Sequence, residues 1–356
     1  MIRVGAAEML ILVVKMSALG DVVHALPVIP TLKRAYPNAQ IHWVVEEMAE
    51  PIVRSHSGVD RVLVSRRAQW SKDIKNPYRW PKILKEMSQF VKQLRQQSYD
   101  VAIDLQGLLK SGIWLSLVPA KRKVGYNGTR EGSYVFLNER IPPVSPDLHA
   151  VQRYLYLVHA LGAHVREVNF GLTVQPEART RLGTLLAQKG WMDQKPYAVL
   201  VPKARWETKE WGGDGFAVLA DMLVDRLGLR VAVTGIDREA TAVVGITRKM
   251  IHPALNLTGE TDLPMLMALL QGARVVIATD SGPMHIAAAM GTPVVAVFGP
   301  TAPWRTGPYG EGHRVVKSAV SCSPCFKRKC DHKTCMRMIG PAEVLDAVCD
   351  VMRPHG

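Results

Sequence analysis

Eight short runs of apolar, largely β-branched residues, four in each half of the chain, are separated by stretches of helical periodicity, and this alternation constrains the fold more than any other feature. The runs fall at 10–14, 41–45, 61–64 and 101–105, and again at 197–201, 230–234, 275–278 and 294–298. Strands and helices in that rhythm form doubly wound parallel sheets, whose strands are covered on both faces and need no polar alternation. A chain of 356 residues is ample for two such domains. Pro176 and the helical stretch 177–189 place the linker within 165–180, giving an amino-terminal domain, 1–172, and a carboxy-terminal one, 173–356. The expected fold class is therefore α/β, with two Rossmann-like domains whose parallel sheets face a central cleft where ligands bind.

Hydrophobic residues at 47% and charged ones at 21% mark an ordinary globular protein. The apolar run at 9–14 is cut off by Lys15, so it reads neither as a signal peptide nor as the roughly 18 residues of a membrane span. A cytoplasmic protein is expected, with residues 1–8 a short extension before the first strand. The formal net charge of +14 implies an acidic partner, whether nucleic acid, an anionic membrane surface or a phosphorylated substrate. Four of the five cysteines crowd into Cys322, Cys325, Cys330 and Cys335. The first pair has a zinc-chelating spacing, but the later gaps match no standard finger, so the cluster is a candidate structural zinc site only. No repeat or heptad points to an obligate protein partner.

The segment 275–301 reads as strand, polar turn, Ala-rich helix and strand. Asp280 and Ser281 are expected to cap the helix, Gly282 lets a ligand approach the backbone, and Pro283 suits an early helical position. A helix start of this kind can hold phosphate; a well-capped structural turn accounts for the same residues. Lys15–His24 is a second turn, with Gly20 for backbone freedom and Asp21 opening a helix. Asp21 is either a cap or a general base at the cleft mouth; His24 reads as a helix-face residue. After the strand at 197–201, Lys203, Arg205 and Lys209 bring cations that would neutralise a leaving diphosphate, or merely face solvent. Glu239 follows the next strand, where acidic side chains commonly hold ribose hydroxyls. Stretches 65–72 and 80–85, expected to be loop, mix Arg66, Arg67 and lysines with Trp70 and Trp80. They form either a solvated charged face or a site for phosphate or carboxylate groups, at a membrane surface if the tryptophans sit at headgroup level. Segment 104–111, with Gly107 and Lys110, could close the same pocket.

Taken together, 15–27, 43–47, 104–111, 149–153, 204–211, 280–285 and 299–301 resemble glycosyltransferase family 9, the lipopolysaccharide heptosyltransferases, along nearly the whole chain. The resemblance implies a GT-B fold and metal-independent, inverting transfer of heptose from ADP-L-glycero-D-manno-heptose to a Kdo residue on lipid A, by an enzyme peripheral to the inner membrane. It implies no required cofactor. Position by position, it makes Asp21 the catalytic base, Lys209 the cation on the diphosphate and Glu239 the ribose ligand. Asp280 contacts the heptose, with Ser281, Gly282, Pro283 and His285 around the phosphates. Ser17, Gly20, Arg66, Arg67 and Lys110 belong to the acceptor side. Ala204, Arg205 and Trp206 depart from the small hydroxyl residues of some members. Two other readings remain: a family 9 transferase acting on an acceptor already bearing heptose, and a basic nucleic-acid-binding protein, against which the aromatics follow no RNA-binding signature.

Overall fold

A computed structural model describes residues 9–191 and 195–353, so the expected extension at 1–8 lies outside the described residues. The chain divides into two compact units, Met1–Thr173 and Val174–Gly356. The first holds strands β1 (Leu10–Val14), β2 (Gln40–Glu46), β3 (Arg61–Ser65), β4 (Tyr99–Asp104), β5 (Ala120–Tyr126) and β6 (Glu139–Ile141). The second holds β7 (Tyr197–Val201), β8 (Arg230–Val233), β9 (Leu255–Asn256), β10 (Val275–Thr279), β11 (Val294–Phe298) and β12 (Arg314–Lys317). Strand order is β3-β2-β1-β4-β5-β6 in one sheet and β12-β11-β10-β7-β8-β9 in the other. All pairings are parallel, for example Val13 beside Ile103 and Ile277 beside Leu200. The two orders are the same winding read from opposite edges. Each therefore reverses direction once, between β1 and β4 and between β7 and β10, and the loops leaving those strands part to create a crevice at their carboxyl ends.

The central strands are those whose sequence is apolar throughout. β10 and β11 are buried at every position, as parallel strands covered on both faces must be. Around the first sheet Leu12, Val14, Val44, Trp70, Phe90 and Trp114 pack into one core; around the second, Leu200, Phe216, Ile277, Val297 and Val348 pack into another. Cys349 leans on that second core.

Several expectations are corrected. The stretches 65–72 and 80–85 are largely not loop: the helices Arg67–Asp73 and Trp80–Arg95 occupy most of the first and all of the second. Ile83, Phe90 and Leu94 recur on one face of the longer helix and are buried, which overrides the polar composition of the other faces. Trp70 is core, packed edge-on against Phe90 and Trp114, with its indole N–H donating to Glu86 at 2.8 Å. Gly20 lies inside the helix Leu19–Ala25 rather than in a turn needing backbone freedom. Strands β5, β6, β9 and β12 were not anticipated; β5 carries Lys121, Arg122 and Lys123, and β12 buries only Val316. Among the described residues no helix is long and apolar enough to cross a membrane.

Candidate active site

In the first unit, charge gathers where β1, β2 and β4 end. Lys15 closes β1 with its side chain buried, 4.8 Å above the ring of Tyr154. Burial works against its ammonium, but Tyr154, Asp21 and Asp104 outweigh that and hold its pKa above the ordinary lysine value. Ala18 is extended, and its N–H donates to Asp21 Oδ2 at 3.1 Å. Asp21 thus sits in the first turn of its helix, where a carboxylate also meets the positive end of the helix dipole. His24 is buried and meets the ring of His149 edge-on at 5.1 Å.

After β4, the almost fully buried Asp104 organises the next turn. It accepts hydrogen bonds from the N–H groups of Gln106 and Gly107 and from Ser111 Oγ, at 2.9–3.1 Å. Burial nonetheless lifts its pKa above the usual carboxylate value. The turn needs a left-handed residue, Gly107 at φ +64°. Gln106 in turn accepts from the N–H groups of Met16 and Ser17, at 3.1 and 3.0 Å, pinning the β1 turn to the β4 turn. Lys110 Nζ donates to Ser17 Oγ at 2.5 Å and to Glu46 at 3.1 Å, and Arg67 Nε donates to the same Glu46 oxygen at 2.9 Å. Burial, together with Arg67 and Lys15, lowers the pKa of Lys110, against the pull of Glu46. One carboxylate therefore gathers Lys110 and Arg67, and Lys110 in turn holds Ser17. Arg66 goes elsewhere, pairing with Glu47 at 2.8 Å and Glu86 at 3.3 Å.

In the second unit a carboxylate again stands at the centre of the cluster. Asp280 follows β10 and is buried; Lys209 pairs with its Oδ2 at 2.7 Å, and Thr301 Oγ1 donates to that oxygen at 2.7 Å. His285 Nε2 lies 3.9 Å from the other oxygen. Asp280 is thus not a cap of the helix Gly282–Ala289, and Ser281 at its N-cap position makes no side-chain cap bond either, which corrects both expectations. Ser281 Oγ is buried, with no hydrogen-bond partner among the described residues. Pro283 does occupy the first turn. Trp206 carries two cations on its ring, Lys209 at 4.7 Å and Arg328 at 4.6 Å. Lys203 pairs with Glu210, and Arg205 is exposed. Glu239 turns back onto its own loop, accepting from the Ile236 N–H at 3.0 Å.

The four clustered cysteines share a cavity of about 210 Å³ with Thr208, Pro300 and His332. Burial, then Cys325, Cys322 and Cys330, raise the Cys335 thiol pKa. Among the described residues no three His, Cys, Asp or Glu side chains stand where they could hold a metal ion.

Sequence reading thus located both charge clusters and missed residues that organise them: Lys15, Glu46, Gln106, Tyr154 and Thr301. Lys15 and Glu46 carried a signal, a charged residue terminating a buried apolar strand. Tyr154 had none, lying far along the chain from Lys15.

The family model for glycosyltransferase family 9 (heptosyltransferase) matches residues 87–336. Lipopolysaccharide heptosyltransferase 1 of Pseudomonas aeruginosa is 32% identical over 337 residues, covering 91% of this chain and 88% of the relative. The Escherichia coli protein of the same name is 28% identical over 320 residues, covering 87% and 94%. Among solved structures, E. coli heptosyltransferase WaaC with ADP-2-deoxy-2-fluoro heptose aligns with a TM-score of 0.76 at 25% identity, over 96% of this chain and 99% of that one.

Proposed function

Since the chain belongs to glycosyltransferase family 9 and is a heptosyltransferase of lipopolysaccharide core synthesis, we propose that it transfers L-glycero-D-manno-heptose from ADP-heptose to a Kdo residue of lipid A, with inversion and without a metal ion. The observation that carries the donor half is the buried Asp280, held by Lys209 and Thr301 at the head of the helix Gly282–Ala289. Support for the acceptor comes from two relatives named lipopolysaccharide heptosyltransferase 1, matched over 88% and 94% of their own length.

In this reading the acceptor hydroxyl attacks the anomeric carbon from the face opposite the diphosphate. The bond from that carbon to the β-phosphate oxygen breaks, ADP leaves, and the hydroxyl proton passes to Asp21. Lys209 and the N–H groups at the start of the Gly282–Ala289 helix meet the charge that grows on the departing diphosphate, the task a divalent cation performs in other sugar transferases. Ser281 Oγ and His285 complete the phosphate surroundings, and Glu239 takes the ribose. Ser17, Gly20, Arg66, Arg67 and Lys110 receive the anionic acceptor; Arg67 and Lys110 exchange Glu46 for its carboxylate and phosphates. The amino-terminal unit is then the acceptor side and the carboxy-terminal unit the donor side, working at the inner face of the cytoplasmic membrane.

The test is to incubate the protein with ADP-heptose, chelator and either Kdo-lipid A or an acceptor already bearing heptose, and to weigh the products. A single added heptose on Kdo-lipid A alone is expected. Addition only to the heptosylated acceptor would assign the chain a different acceptor within the family, and dependence on added metal would remove the metal-free mechanism.

A further inference from the structure

We propose that residues 72–85 of the amino-terminal unit form a docking surface for an anionic lipid bilayer, an inference that takes from the proposed function only its membrane-borne acceptor. Between residues 66 and 95 there are nine lysines and arginines and two carboxylates, so thirty residues carry half of the chain's net charge of +14. Both carboxylates are engaged within the segment: Asp73 pairs with Arg79 at 2.5 Å, and Glu86 accepts from Trp70 and Arg66. Lys72, Lys75, Lys82 and Lys85 are exposed.

Among these cations stand four large apolar side chains that face solvent, Ile74 at 58% exposure, Tyr78 at 95%, Trp80 at 51% and Leu84 at 67%. Their exposure is built in. Ile83, Phe90 and Leu94 hold one face of the helix Trp80–Arg95 in the core, which fixes Trp80 and Leu84, one turn apart, on an outward face. Trp80 Nε1 donates to the carbonyl of Ile74 at 2.9 Å, which ties the end of the preceding helix beside it. Asn76 accepts from the Tyr78 N–H at 3.1 Å and shapes the bend between them.

An apolar patch ringed by cations is the pattern of an interfacial membrane contact. Tyr and Trp rings settle at headgroup level, aliphatic side chains reach the acyl boundary, and lysines meet anionic headgroups. Nucleic acid fits less well, because Ile74 and Leu84 offer neither a stacking plane nor a phosphate contact.

The full-length protein is to be floated with vesicles of phosphatidylcholine alone or with phosphatidylglycerol, at low and high salt. Wild type is expected on the phosphatidylglycerol vesicles, releasing as salt rises. W80S/L84S should lose roughly tenfold in partition, and K82E/K85E at least as much. Turnover of a deacylated, soluble Kdo acceptor should be unchanged in W80S/L84S, while turnover of the vesicle-borne acceptor falls. The surface is wrong if both variants float like wild type, if wild type ignores anionic vesicles, or if wild type binds RNA or self-associates through these side chains instead. No turnover of either acceptor by wild type would sink the transfer reaction and leave flotation to judge the surface.

Discussion

Asp21 has two jobs that a substitution can separate. Its carboxylate closes the start of a helix through the Ala18 N–H, and in the proposed reaction it also takes the acceptor proton. Asp21→Asn keeps an oxygen for the first and removes the second. Turnover is therefore expected to drop roughly 10²- to 10⁴-fold, with donor affinity and melting temperature near wild type; near-normal turnover would take Asp21 out of the mechanism. Lys209→Ala acts differently, since it also strips a buried carboxylate of its cation. Loss of turnover of about 10²- to 10³-fold should come with a stability cost of roughly 1–3 kcal/mol, visible as a lower melting temperature without substrate. His56 gives the clearest pH dependence. It is buried, its Nδ1 accepts from the Gly58 N–H at 3.0 Å, and burial lowers its pKa to about 4. The unfolded chain, with an ordinary histidine near 6.5, binds the proton more readily. Stability contributed by the neutral ring is thus fully present above pH 6.5, falls as pH drops toward 4, and falls no further below that. The loss is on the order of 3 kcal/mol, and denaturant titrations of His56→Gln at pH 7 and pH 4.5 should show a shallower pH dependence than wild type.

At the scale of the element, Gly171 shows where backbone freedom is required. It sits at φ +60°, and a Cβ there would lie 2.2 Å from His56 Nε2. The neighbouring Leu172 bridges to His56, and Thr173 bonds to the carbonyl of Ser55 through both N–H and hydroxyl, at 3.3 and 2.6 Å. Gly171→Ala should cost roughly 2 kcal/mol or more, from left-handed strain added to the clash, measured by chemical denaturation; an effect within 0.5 kcal/mol would show that the ring moves aside freely. Elements were legible in proportion to their burial. β10 and β11 announced themselves because every position is covered, whereas β5 and β12 hid behind cations on strands that are only partly buried. Residues 80–85 read as charged loop because the buried face of the helix Trp80–Arg95 begins only at Ile83, and Met87, Phe90, Val91 and Leu94, which complete it, lie beyond that stretch. The same limit applies to the sites. A turn directly after an apolar strand, such as Asp280 or Lys110, can be found by local pattern; the role of Glu46 depends on Arg67 and Lys110, which are distant in sequence and meet it only once the sheet has formed.

For the whole molecule, each unit has its own six-stranded sheet and its own core. Unfolding in urea, followed by hydrogen exchange peptide by peptide, is therefore expected in two steps. ADP at about a hundred times its Kd should raise the step belonging to Val174–Gly356 by about 2.7 kcal/mol and leave the other in place; equal shifts in both would place nucleotide contacts in both units. The winding also gives each unit, taken by itself, two ends. Every candidate group stands beyond the carboxyl ends of the strands, while turns such as the one through the exposed Asn38, which feeds the opposite end of β2, carry none of them. A fluorophore or purification handle grafted at that far edge should leave transfer untouched, so the strand direction alone tells an experimenter where the enzyme can be held.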